Sequence, residues 1–409
     1  MSTPNQFLLR WLLGGSLMAS ALAGERMAVV AERLHTMAGP VITNGVVLLE
    51  DGKITAVGAA PSVAVPAGFR VLSARVATPG LIDARTTVGL SGILNQPQDQ
   101  EQLEKSAPMQ PELRAIDAYN GRDPLVDHVR SFGVTTVHTG HAPGVLISGQ
   151  TMVIKTYPAN LEQALIQPAA MTAATLGGGA TTGEKGKSPG TRAKAMALLR
   201  ADLIKAQDYV RKQAKPEVDK RPARDLHLEA LAAALDGRQP LLITVHRHHD
   251  ILAALRLAAE FQLKIVLDGV ADAPLVLNEI KQSGFPVILH PTMYRANAEA
   301  ENLSLETAAK LHDAGIVFAL QSGFEDYVPK TRVVLFEAAL AAANGLAPEA
   351  ALAAITLDAA RILGIQHRVG SLEPGKDADL ALYDGDPLEY TTHCVSVIVS
   401  GVVTDSRPH

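Results

Sequence analysis

The chain has 409 residues, 47% hydrophobic and 19% charged, with a net charge of −5 and acids and bases mixed along its length. That is enough apolar chain for a large core, as one big barrel or as two domains, and the lack of a basic stripe speaks against nucleic acid as a partner. The lone Cys394 supplies neither an internal disulfide nor a thiolate cluster, so any metal would have to be held by His and carboxylates.

At the N-terminus, Arg10 precedes an apolar run, 11–23, that closes on Ala21-Leu22-Ala23. A short apolar region with a small-residue cleavage site predicts a signal segment over 1–23, export, and a periplasmic mature protein. The other reading is an N-terminal helix that stays on. A run of about 13 residues is too short to span a bilayer, so no stable membrane insertion is expected after cleavage.

Residues 41–57 place two apolar stretches around Glu50-Asp51-Gly52-Lys53, and Asp-Gly between alternating strands predicts a hairpin. From residue 81 onward, short β-rich runs alternate with Ala/Leu-rich helical stretches, the pattern of a parallel α/β fold. Candidate strands are 80–82, 135–139, 152–156, 171–176, 241–246, 264–268, 287–290 and 317–321, and eight is the count of a closed (β/α)8, TIM-like barrel. Helices are expected at 191–212, 251–261 behind Asp250, and 305–314 behind Ser304. β character returns at 380–383 and 395–403. The domain reading is therefore a barrel over 78–365 and a small unit built from 28–77 plus 366–409.

Three separated blocks carry a resemblance: Asn44-Gly45-Val46 through Gly58, Thr78-Pro79-Gly80-Leu81-Ile82-Asp83-Ala84, and Gly370-Ser371-Leu372-Glu373-Pro374-Gly375-Lys376-Asp377-Ala378-Asp379-Leu380. In this order and at these distances the chain resembles the amidohydrolase superfamily, in its imidazolonepropionase-like and dipeptidase-like branch, over residues 29–403. The resemblance implies a β/α barrel beside a composite β-sandwich made from both ends, a small-molecule substrate, and assembly into homo-oligomers. It further implies one or two divalent metals, held by His-x-His on strand 1, Lys or Glu on strand 4, His on strands 5 and 6, and Asp on strand 8.

This sequence departs from that ligand pattern. Arg85 and Thr87 stand at the strand 1 pair, Asp268 at the strand 6 position, and Gly323 where the strand 8 Asp belongs, while strand 4 offers Thr172 and Thr175. Only His246 matches. His246, Asp268 and His290 each end a predicted strand on neighbouring strands, and two imidazoles with a carboxylate make a three-ligand set for zinc or iron. The alternative for each is a hydrogen-bonded buried polar group. His248 and His249 read as solvated residues opening the next helix. Lys155 is a candidate catalytic residue that binds a substrate carboxylate or is itself carboxylated as a metal bridge, or a lysine at the barrel rim. His138 and His141 flank Thr139-Gly140, and strand parity turns only one of them to the mouth, as a proton shuttle or a substrate contact. Arg85 is a candidate bidentate carboxylate binder, with Asp83 or Asp268 as its internal partner.

The glycine-rich stretch 177–188 ends in Gly186-Lys187-Ser188, but Thr181 occupies the first glycine position of a phosphate loop, so a mouth loop is the better reading. Residues 96–104 are a second candidate mouth loop. Two functions follow: a hydrolase of amide or cyclic amide C–N bonds with a non-standard metal site, or a barrel that has lost catalysis and binds an anionic small molecule.

Overall fold

A computed structural model describes residues 25–94, 96–181, 188–292, 294–323 and 333–404. The predicted signal segment lies outside these residues, as does the Gly186-Lys187 pair. The first strands are β1 (Met27–Leu34), β2 (Ile42–Glu50), β3 (Lys53–Ala59) and β4 (Arg70–Pro79). The middle of the chain supplies β5 (Leu81–Thr86), β6 (Val134–Thr139), β7 (Ile147–Gln150), β8 (Met152–Lys155), β9 (Leu165–Gln167), β10 (Thr172–Thr175), β11 (Leu241–Val245), β12 (Ile265–Gly269), β13 (Val287–Leu289) and β14 (Phe318–Leu320). β15 (Leu380–Tyr383), β16 (Cys394–Val399) and β17 (Val402–Thr404) follow.

Both ends of the described chain meet in one seven-stranded sheet, ordered β17-β16-β15-β4-β1-β2-β3. The β2–β3 hairpin turns through Asp51 and Gly52, both at positive φ, as a two-residue hairpin turn requires. Period-2 alternation places Met27, Val29, Ala31, Leu380 and Leu382 in one apolar cluster between these strands and the loop before β15.

Two further sheets hold the middle of the chain. One runs β14-β13-β12-β11-β10-β7 and the other β5-β6-β8-β9, and a parallel bridge from Thr86 to Gly323 joins β5 to the segment after β14. Residues 147–155 connect the two sheets: β7 pairs antiparallel with β10, and β8 pairs antiparallel with β6. This corrects the expectation of a parallel third strand. Residues 140–146, which separate β6 from β7, are fewer than the dozen that a parallel crossover needs.

Alternation within the strands builds the floor of the site. Leu242, Val266, Ile288 and Ala319 point to one shared apolar cluster, capped by Ala359, Ala360 and Leu363 of the segment after β14. Two residues further along each strand, on the same face, come Thr244, Asp268, His290 and Gln321. An apolar layer thus carries a polar layer at the C-terminal ends of four adjacent parallel segments. The predicted helices form with shifted ends: Arg192–Gln213 is capped by Thr191, and His248–Phe261 begins before the expected start, leaving Asp250 in its first turn. Two short helices, Pro348–Ala354 and Leu357–Ile362, follow late in the chain and are separated at Thr356.

Candidate active site

A cleft of about 1140 Å³ opens over this polar layer and narrows into an inner cavity of about 50 Å³. Pro143, Thr244, His246 and Tyr294 line both and form the neck. The cleft walls include Gln100, Gln102 and Leu103 from the predicted 96–104 loop, and Gly178, Gly179 and Ser188 from the glycine-rich stretch. Arg192 pairs with Asp250 and Glu299, which fastens the start of its helix to the cleft wall.

His246 follows β11. Its ring stacks on Tyr294, with centroids 6.4 Å apart and planes 11° apart. It also lies against Gly269, where a Cβ would come within 2.7 Å of the ring. Its Nδ1 is buried without a partner. Burial lowers its pKa, against the opposing pull of the Asp268 charge, so the ring is neutral. Both oxygens of Asp268 accept a hydrogen bond: Thr244 Oγ1 donates to Oδ2 at 2.5 Å, and Gln321 Nε2 donates to Oδ1 at 2.6 Å. His290 donates from Nδ1 to the Pro291 carbonyl at 3.1 Å, which leaves Nε2 as a buried, unpartnered acceptor. Burial pushes its pKa down to about 4.

Arg85 is 3% exposed. Its Nη2 donates to the His141 carbonyl, while Nη1 has no protein partner. Asp83 on the same strand accepts from the Arg85 backbone N–H at 3.3 Å, and from the backbone and hydroxyl of Ser322. Burial lifts the Asp83 carboxyl to about 7, in spite of the Ser322 hydrogen bonds.

The sequence profile of the amidohydrolase family matches residues 76–405. The chain belongs to the amidohydrolase family. It is 27% identical over 406 residues to the amidohydrolase tasK of Hapsidospora irregularis, a match covering 89% of this chain and 41% of that one, so the chain spans less than half of that relative. It is 24% identical over 392 residues to the imidazolonepropionase of Rhizobium rhizogenes, covering 84% and 87% of the two chains. Among solved structures, an amidohydrolase from Thermotoga maritima superposes with a TM-score of 0.87 at 26% identity, over 93% of this chain and all of that one.

Members of the amidohydrolase family are usually metal-dependent, and the residues at this mouth do not fit that role. Among the described residues, no group of three or more His, Cys, Asp or Glu is arranged to hold a metal ion. The predicted set of His246, Asp268 and His290 is corrected accordingly. Both Asp268 oxygens already accept hydrogen bonds, and the Arg85 guanidinium lines the same cavity as a fixed positive charge that opposes a cation there.

The remaining candidates fall in different places. Lys155 is not at the mouth: because β8 runs against its neighbours, its end faces the terminal sheet, where Nζ contacts Asp377 at 2.8 Å, Asp379 at 3.0 Å and Ser400 at 2.7 Å. His138 is a buried strut, with Nδ1 2.7 Å from the Ala84 carbonyl and Nε2 2.6 Å from Thr151 Oγ1. Burial and the Arg85 charge hold its pKa down at about 3, so it carries no shuttled proton. The His141 ring is buried against Gly149 and lines neither cavity, although its carbonyl anchors Arg85. His248 pairs with Asp272 at the start of its helix. Residues not anticipated at the mouth are Thr244, Gln321 and Tyr294. The first two share the inward register of Leu242 and Ala319, a legible signal, whereas Tyr294 lies beyond any strand.

Proposed function

We propose that this amidohydrolase-family chain hydrolyses an amide or cyclic amide C–N bond of a small molecule that enters by the cleft, within strands that close into a (β/α)8-like barrel beside a small composite β domain. The observation that carries the reading is His246: a neutral imidazole with an unpartnered nitrogen, held at the neck by Tyr294 and Gly269. A base at that point takes a proton from a water whose oxygen attacks the carbonyl carbon, and the imidazolium returns the proton to the departing nitrogen as the C–N bond breaks. The names of the relatives, an amidohydrolase and an imidazolonepropionase, support the same reaction class.

Turnover of a panel of dipeptides and five- and six-membered lactams tests this reading. His246→Asn is expected to reduce kcat/KM by about 10²-fold or more. No turnover of any compound, or turnover indifferent to the variant, would refute it. A second reading, binding without turnover, is favoured by the presence of Arg85, Thr87 and Gly323 where the family resemblance expects ligands, and by the hydrogen bonds that already hold both Asp268 oxygens. Its signature is ligand affinity with no product.

A further inference from the structure

We infer that Arg85 is a built-in cation which seats a carboxylate-sized anionic group of the ligand in the inner cavity, so that ligand binding needs no divalent metal. A guanidinium keeps its charge in a protein. Burial works against the Arg85 charge, and the carboxylates that favour it, Asp268 and Asp83, act through space. Their oxygens accept from other groups: Thr244 and Gln321 for Asp268, and Ser322 and the Arg85 backbone N–H for Asp83. The guanidinium is anchored by one hydrogen bond to the His141 carbonyl, its Nη1 is a buried donor without a protein partner, and Arg85 lines the inner cavity. A buried charged donor left unmatched is costly, and an anion placed against it makes a charge-assisted hydrogen bond worth about twice a neutral one.

The dimensions select the anion. A cavity of about 50 Å³ admits a few water-sized centres, which suits a carboxylate and the carbon bearing it but no ring or polyphosphate. The remainder of the ligand then passes the neck at His246 and Tyr294 into the cleft. His246 and His290 line the same cavity, and His290, with its Nδ1–H spent on the Pro291 carbonyl, adds no donor to the anion, so Arg85 supplies the charge there. The inference is independent of turnover, since a chain that binds without hydrolysing satisfies it equally.

Isothermal titration calorimetry of the full chain in excess chelator, at fixed ionic strength, with acetate and its neutral isostere acetamide, tests the inference. Acetate is expected to bind at least about tenfold more tightly than acetamide, the difference expected of a charge-assisted over a neutral hydrogen bond. Chelator is expected to leave that affinity unchanged, Arg85→Met to abolish the preference, and Arg85→Lys to keep part of it. Equal affinity for the two probes, no acetate binding, or acetate binding that requires added zinc or manganese would each overturn it. The comparison of acetate with acetamide uses the unaltered protein, so the outcome stands even where the Arg85→Met chain fails to fold. Loss of the acetate preference in Arg85→Met with turnover retained would overturn this inference alone, and an acetate preference in a chain that turns over no compound would support it while overturning the proposed hydrolysis.

Discussion

Lys155→Met is expected to destabilise the protein without touching the mouth. The ammonium is buried, 3% exposed, and bridges two carboxylates that are themselves buried, Asp377 and Asp379, while also donating to Ser400. Removing one member of a buried ionic cluster costs about 3–5 kcal/mol, because the charges left behind remain desolvated. Here the two carboxylates fare differently. Burial raises Asp377, but hydrogen bonds from Lys155 and Lys53, with Arg368 nearby, hold it well below the usual carboxylate range. Two of those cations survive the substitution, at 2.6 and 2.8 Å. Asp379 keeps only the Ser400 backbone donor at 2.7 Å among the interactions described. The lower end of the range, about 3 kcal/mol, therefore applies. Urea unfolding is the assay, with Lys155→Met/Asp379→Asn expected to recover a third or more of the loss. A loss below about 1 kcal/mol, or unchanged stability accompanied by lost ligand affinity, would sink the account and return Lys155 to the reaction site.

Three further outcomes are expected. Burial holds His138 at about 3 and His141 and His290 at about 4, against an ordinary value of 6.5, so each contributes stability above pH 6.5 that is lost as pH falls towards 4. At pH 5 each amounts to about 2 kcal/mol. Asp83, raised by burial to about 7, works in the opposite direction and offsets one of them, so unfolding midpoints measured from pH 7.5 to 4.5 should fall; a flat or rising profile refutes this. Gly269→Ala places a Cβ at φ +88 within 2.7 Å of His246, so it should cost about 1–2 kcal/mol and reduce turnover or affinity at the neck; unaltered function would show that His246 is not held there. Thr244→Val removes a donor from Asp268 and should cost about 1–3 kcal/mol by denaturation, whereas a neutral effect would mean that Asp268 is otherwise satisfied.

The strands from Leu241 to Leu320 were legible because each is a short apolar run with a polar residue at its C-terminal end, and that pattern also located His246, Asp268 and His290 on adjacent segments. The three sequence blocks carried the family. Strand direction was not legible at 147–155, since a strand buried on both faces has the same composition whichever way it runs, and with the direction went the placement of Lys155. Nor does composition say which donors are spent. Asp268 looks like a ligand until Thr244 and Gln321 are seen on its two oxygens, and His138 looks like a shuttle until Ala84 and Thr151 are found on its two nitrogens.

The terminal sheet sets a timetable for synthesis. β4 is an inner strand whose one neighbour, β1, is made before it and whose other neighbour, β15, is made about 300 residues later. At roughly 5–20 residues per second, that edge waits on the order of 15–60 s on the ribosome with its backbone groups open to any passing strand. Burial patterns Val76 to Pro79 on β4 as fully covered only in the finished sheet. The sheet can therefore close only after β15 is made, and until then the β4 edge stays an apolar, pairable strand.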